Sequence, residues 1–267
     1  MKRILYLTFL IPLAGMASGP ASSSLSDQSL AEIKFDQKPG SQISGDLSFR
    51  DENKKIVKIY DFLGKRPAIL VLGYYQCPML CTMVNDGLIA ALQDLKLDVG
   101  KHFDVINITV NPQETPALAA AKKKIYLKQY GRPGAAAGWH FLTGDEASIR
   151  EVTDEVGFRY AYDPAIRQYA HPSGLVILTP DGRVSSYLFG VTYSARELDA
   201  ALQKAGANKI GSPLEQLILL CFHYRPLTGK YGNLIMTVVR VSGVATTIGL
   251  FGVIAFVSQR KRKKGAL

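Results

Sequence analysis

From about Asp51 onward, hydrophobic and polar positions fall into blocks, each the length of one strand or one helix. Ala68-Ile-Leu-Val-Leu72 is an unbroken apolar run after Pro67, which predicts a strand buried on both faces. Beyond Gly73, apolar Val84, Leu88, Ala91, Leu92 and Leu95 recur at helical spacing, and Pro78 suits the first turn of that helix. Phe103 to Val110 predicts the next strand, broken by Asn111-Pro112. Thr115-Pro116 opens a helix running to about Tyr130, with Lys122–Lys124 on a solvated face. The Gly/Pro/Ala stretch Gly131–Gly138 reads as a loop, and Gly144-Asp145 precedes a helix over Ala147 to Val156. Leu175 to Leu178 is a strand, Thr179-Pro-Asp-Gly182 a turn, and Val184 to Phe189 the partner strand. Ser194 caps a last helix to about Ala205. Alternating strands and helices that close on a hairpin and a helix predict an α/β sandwich with a thioredoxin-like arrangement. No internal repeat is visible.

The two ends follow a different pattern. Met1-Lys2-Arg3, the apolar run Ile4 to Leu13 and small residues from Ala14 to Ala21 predict a secretory signal peptide over residues 1–21. Cleavage after Ala17 and after Ala21 both fit. Residues 22–50, opening on the Ser-rich Ser22 to Asp27, read as a linker and N-terminal extension to the domain at 51–206. Val241 to Val257 carries no charge, and seventeen helical residues span ~26 Å, the lower limit for crossing a bilayer. Extension back through Leu234 to Val239 predicts a transmembrane helix over 234–258, with Arg240 snorkelling to the headgroups. Residues 207–233 then form a juxtamembrane segment and 259–267 a basic tail.

Charge supports this topology and weakens a rival. The chain has 267 residues and a formal net charge of +10, which invites a nucleic-acid reading. Yet Lys2, Arg3, Arg260, Lys261, Arg262, Lys263 and Lys264 lie in the terminal segments; taking those seven from +10 leaves +3. A phosphate-binding protein concentrates charge on a folded face, so no nucleic-acid partner is expected. The positive-inside rule puts the tail in the cytoplasm and the folded domain outside. The expected location is the inner (plasma) membrane of a bacterium, single-pass, with the domain periplasmic.

The chain's three cysteines are Cys77, Cys81 and Cys221. Cys77 and Cys81 are four apart at a predicted helix start, a spacing that puts both on one helical face. A helix N-terminus stabilises thiolate, the species that attacks disulfides and binds metal. The pair can therefore close a disulfide or clamp a soft cation such as Cu(I). Spacing alone does not decide between redox and metal work. Zinc would want four ligands, and no second close Cys/His pair is visible. Among His102, His140, His171 and His223, His171 is the best third ligand, because it precedes a predicted core strand. In a thioredoxin-like fold the loop before that strand passes the active cysteines, and Pro172 stands where such folds often carry a cis-proline. Cys221 and His223 alternate in Leu217 to Tyr231, which is expected to be a packing segment beside the membrane rather than a copper way-station.

Several stretches, in order, resemble the Sco/SenC family: Asp61-Phe-Leu-Gly-Lys-Arg-Pro67, Gly73-Tyr-Tyr-Gln-Cys-Pro-Met-Leu-Cys81, Val110-Asn-Pro-Gln-Glu-Thr-Pro116, Trp139-His-Phe-Leu-Thr-Gly144, Val156-Gly-Phe-Arg-Tyr160, and His171 with Thr179-Pro-Asp-Gly182. The likeness covers roughly residues 51–206. It implies a thioredoxin-like copper protein that helps assemble the dinuclear copper centre of cytochrome c oxidase. The family's metal ligands map onto Cys77, Cys81 and His171, with copper as the cofactor. The implied partner is the copper-bearing oxidase subunit, with a periplasmic copper donor or thiol reductant upstream. The alternative is a thiol–disulfide oxidoreductase that reduces oxidase cysteines before metal arrives, using the same dithiol without His171. A peroxidase ranks last, since Tyr74 stands where a peroxiredoxin-type site wants Thr. Two departures stand out: Asn111 replaces a frequent Asp, and the anchor is expected at the C-terminus rather than the N-terminus.

Overall fold

The computed structural model describes residues 23–211, 241–243 and 246–247. In chain order the elements are α1 (Asp27–Glu32), β1 (Ser48–Arg50), β2 (Ile56–Lys58), β3 (Ala68–Gly73), α2 (Leu80–Asp94), β4 (Asp104–Thr109), α3 (Pro116–Tyr130), β5 (Trp139–Leu142), α4 (Glu146–Glu155), β6 (Ala161–Asp163), β7 (Gln168–Ala170), β8 (Gly174–Leu178), β9 (Val184–Phe189) and α5 (Ala195–Gly206). Short 3-10 turns lie at Ile59–Phe62 and Ala135–Ala137.

A five-stranded sheet in the order β5-β4-β3-β8-β9 forms the middle layer. β3 runs parallel to β4, β4 parallel to β5, and β8 antiparallel to both β3 and β9. The apolar run in β3 is long because both faces of the strand are covered. Ile69 and Val71 pack with Val84 and Leu88 of α2, Tyr126 of α3 and Leu198 of α5. Leu70 and Leu72, one step out of phase, pack on the other face with Ile149 and Val152 of α4, Phe49 and Val57. Helices on both faces of a central sheet are the sandwich that the alternating pattern predicts.

Local chemistry fixes the helix ends. Thr115 precedes Pro116 at the start of α3, and Gly131, at φ 73°, ends it in the left-handed conformation that glycine tolerates. Ser194 and Glu197 form a reciprocal capping box on α5.

The core also reaches back before Asp51. Ile43, Leu47 and Phe49 are buried, and Phe35 packs against Phe158 with ring centroids 5.3 Å apart. Residues 35–50 are therefore part of the packed unit rather than an extension to it. Pro78 is corrected too: it lies ahead of α2, which starts at Leu80. All peptide bonds among the described residues are trans, so Pro172 is not the cis-proline expected there. Among the described residues no helix is long and apolar enough to cross a membrane. The expected signal peptide, Cys221, His223 and most of the expected span 234–258 lie outside the described residues.

Candidate metal centre

β3 ends at the centre of the sheet, and its last residue, Gly73, delivers the chain to Tyr74, Tyr75, Gln76 and Cys77. Gly73 is there for space: a Cβ on it would stand 2.9 Å from the Cys81 sulfur. Cys77 precedes the helix, and Cys81 is the second residue of α2. The two sulfurs therefore do not meet as neighbours on one helical face. Instead the chain folds back so that the Cys81 N–H donates to Cys77 Sγ at 3.3 Å, and the Tyr74 N–H donates to Cys81 Sγ at 3.3 Å. The Cys77 sulfur thus occupies the place of a capping acceptor at the start of α2. Both cysteines are free thiols and buried.

β8 supplies the third group. Its antiparallel register with β3, Ala68 opposite Leu178 and Leu70 opposite Val176, carries the start of β8 toward the end of β3. His171, just ahead of β8, therefore reaches the cysteine loop, and its Nε2 lies 2.9 Å from Cys81 Sγ. Its Nδ1 lies 2.9 Å from the Pro172 carbonyl oxygen. A carbonyl can only accept, so Nδ1 carries a proton, and Nε2 is the ring atom that faces the sulfurs. Tyr74 meets the imidazole edge-on at 6.1 Å, and Phe158 lies 5.9 Å away. The two sulfurs and one ring nitrogen all fall within 4.8 Å of one another, and all three residues are buried.

The two thiols are unlike in acidity. The Cys81 thiol, donating to Cys77, holds the Cys77 thiol down to about 3, helped against burial by the His171 ring and by the backbone amides of Cys81 and Met79. Cys81 is driven the other way, well above an ordinary thiol, by the same sulfur pair and by burial. The pair therefore favours thiolate at Cys77 and thiol at Cys81. Burial and the Cys77 charge also hold the Tyr74 phenol neutral.

A fourth residue escaped the sequence reading. Glu114 is buried at 5% exposure, just past the end of β4. Its carboxylate accepts from the Tyr75 N–H at 2.7 Å, the Gln76 N–H at 2.7 Å and the Thr109 hydroxyl at 2.6 Å. It holds the segment that presents Cys77. The signal was available: an acidic residue in Val110–Pro116, at the carboxyl end of a strand parallel to β3, stands where open α/β sheets place their sites.

The other described histidines stay away from this cluster. His140 stacks on Phe62 with centroids 4.1 Å apart, and burial lowers its pKa to about 4. His102 accepts the Asp98 N–H at 2.9 Å in an exposed loop. Asn111, which stands in place of the Asp frequent in the resembling family, makes a local turn: its side-chain oxygen accepts the Gln113 N–H at 3.0 Å.

Fold and site define a class: a thioredoxin-like domain with two thiols and an imidazole at the end of its central strands. The SCO1/SenC family model matches residues 35–206, and the chain belongs to the SCO1/SenC family. Two solved structures agree on the fold. A putative electron transfer protein from Aquifex aeolicus VF5 matches with a TM-score of 0.56 at 24% identity, covering 66% of this chain and 98% of its own. A putative electron transport protein from the same organism matches at 0.52 and 26%, covering 64% and 99%. ScoI of Bradyrhizobium japonicum, solved with copper bound, matches at 0.49 and 25%, covering 61% and 99%. No curated protein matches the chain.

Proposed function

We propose that this chain is a metallochaperone that binds copper at Cys77, Cys81 and His171 and delivers it to the copper-bearing subunit of cytochrome c oxidase. The observation that carries the reading is the convergence of two sulfurs and one imidazole nitrogen within 4.8 Å. The donor set suits the cargo. Two thiolates and a neutral imidazole are soft to borderline ligands, and three of them satisfy a low-coordinate copper ion. Zinc in a structural site wants four protein ligands, and among the described residues no fourth Cys, His, Asp or Glu joins the group. Membership of the SCO1/SenC family supports the same cargo and the oxidase as partner.

The domain works on the periplasmic side of a bacterial inner membrane, held by the apolar segment 234–258 with the basic tail inside. The charge-free run Val241 to Val257 and the basic cluster Arg260–Lys264 support that placement. A copper donor or a thiol reductant of the periplasm charges the site.

How the residues act follows from the geometry. Cys77, already held as thiolate, meets the ion first. Cys81 then gives up its proton and becomes the second sulfur ligand. His171, its Nδ1–H held by the Pro172 carbonyl, offers Nε2 to close the site.

The unequal thiols also suit a second reading, a thiol–disulfide oxidoreductase acting on oxidase cysteines, in which Cys77 attacks and Cys81 resolves. Copper titration of the reduced full chain separates the two. About one equivalent is expected for the native chain, with Cys77→Ser and Cys81→Ser abolishing high-affinity uptake and His171→Ala weakening it by more than the ~10-fold that loss of a mere outer-shell partner costs. Disulfide reduction by His171→Ala should fall much less. The opposite ranking would establish the oxidoreductase reading.

A further inference from the structure

Glu114 is an expensive residue. It is a carboxylate buried beside the cysteine loop, and only neutral donors meet it: two backbone N–H groups and one hydroxyl. A buried anion without a cation costs the fold. The mechanism above uses neither its charge nor its oxygens for ligation.

Two consequences follow from its place. First, its oxygens fix Tyr75 and Gln76, the two residues immediately before Cys77, at 2.7 Å each. Second, its charge lies close to the site, since the Gln76 N–H that it accepts belongs to the residue directly before Cys77. Two thiolates and an imidazole around Cu(I) sum to −1, and around Cu(II) to zero. A fixed negative charge nearby in a low-dielectric interior favours the less negative of the two.

We propose that Glu114 is a positioning residue of the dithiol loop and that its charge biases the bound copper toward Cu(II) over Cu(I). The inference rests on the copper reading and refines which oxidation state the site retains. The step concerned is one electron: the Cu(II) site accepts an electron from a one-electron donor in solution and becomes the Cu(I) site, with both thiolates and the imidazole still bound. No bond to the protein is made or broken.

The variants separate charge from shape. Glu114→Gln keeps the length and removes the charge; its amide can accept on one side only, so one of the two backbone N–H groups loses its acceptor. Glu114→Asp keeps the charge and loses one methylene of reach. The measurement is a redox titration of the copper-loaded full chain against soluble mediators, following the thiolate-to-Cu(II) absorption. Glu114→Gln should shift the Cu(II)/Cu(I) couple to higher potential, and Glu114→Asp should leave it near the native value. A Glu114→Gln potential equal to or below the native one overturns the charge effect. Amide exchange at Tyr75 or Gln76 in the metal-free protein should accelerate in both variants, and unchanged protection overturns the positioning role. Should Glu114→Gln not fold, Thr109→Val takes its place. Removing the hydroxyl that partly offsets the carboxylate should lower the potential, and a rise overturns the proposal. If the native chain takes up no copper, the copper reading itself falls. If it takes up copper and the potentials coincide, only this inference does.

Discussion

Cys77 and Cys81 carry the same side chain, and their neighbours make them different acids. Backbone amides of Cys81 and Met79 point at one sulfur; the other is buried deeper and donates to the first. With its pKa held near 3, Cys77 is thiolate throughout ordinary pH, whereas an unperturbed thiol near 8.5 is mostly protonated at pH 5. Between pH 8 and pH 5 an ordinary thiol loses reactivity on the order of a thousandfold. Cys77 should keep its alkylation rate with iodoacetamide over that range and lose it only as the pH approaches 3. Cys81 should stay unmodified throughout. Peptide mass spectrometry of the reduced, metal-free chain reads both sites at once. A Cys77 rate that falls in step with a free thiol would remove the asymmetry on which both functional readings draw.

At the scale of elements, the buried side of α2 is tied to the sheet by a polar chain. The Trp139 Nε1–H donates to Asn107 Oδ1 at 2.8 Å, Asn107 Nδ2 donates to Asn85 Oδ1 at 2.9 Å, and Asn85 Nδ2 donates to the Cys81 carbonyl at 2.9 Å. β5, β4 and α2 are thereby joined through buried polar groups. Asn107→Ala strands an indole N–H and an amide oxygen, and the expected loss in urea unfolding is about 2–4 kcal/mol. A loss under about 1 kcal/mol would mean that water takes over both partners. This chain of amides could not be read from the sequence, because an Asn inside a strand says nothing of its facing partner.

The regular elements were legible for a plain reason. β3 and β8 bury full apolar runs and α2, α4 and α5 bury a helical stripe, whereas α3, which buries only Ala119, Tyr126 and Tyr130, is marked by Thr115-Pro116 and Gly131; the predicted bounds of these elements, and of β4 and β9, agree with the structure to within about two residues. β1, β2, β6 and β7 are three residues each, too short to show a period, and β5 is only four. The N-terminal contribution to the core was hidden because Phe35, Ile43, Leu47 and Phe49 are spaced by turns rather than by a helix or strand repeat. Of the site, His171 and the two cysteines stood out by type and position, whereas Glu114 looked like one acid among many.

Across the whole molecule, the start of the described chain is fastened to the hairpin that leads to His171. The Asp163 carboxylate, at the end of β6, accepts from the Ser23 hydroxyl at 2.5 Å, the Ser24 hydroxyl at 2.6 Å and the Ser24 N–H at 3.0 Å. These donors, the Ser23 hydroxyl first, lower its pKa to about 2. Asp163→Asn replaces one acceptor oxygen with a donor and should release the segment from Ser23 to Glu32. Limited proteolysis should then cut there faster, while the domain from Phe35 onward survives. Equal cutting of both proteins would show that the clasp does not hold the segment.

Ninety positions separate Cys81 from His171, and the β3–β8 pairing brings them together. On the proposed reading, the cargo acts as a rivet through that seam: it grips the first third of the chain and a point far along it at the same time. An unfinished or unravelling chain offers its sulfurs without the ring. Possession of copper therefore certifies a completed fold. Loading raises the melting temperature in proportion to how tightly the ion is gripped, so a molecule that has surrendered its ion to the oxidase is also the more easily unfolded one.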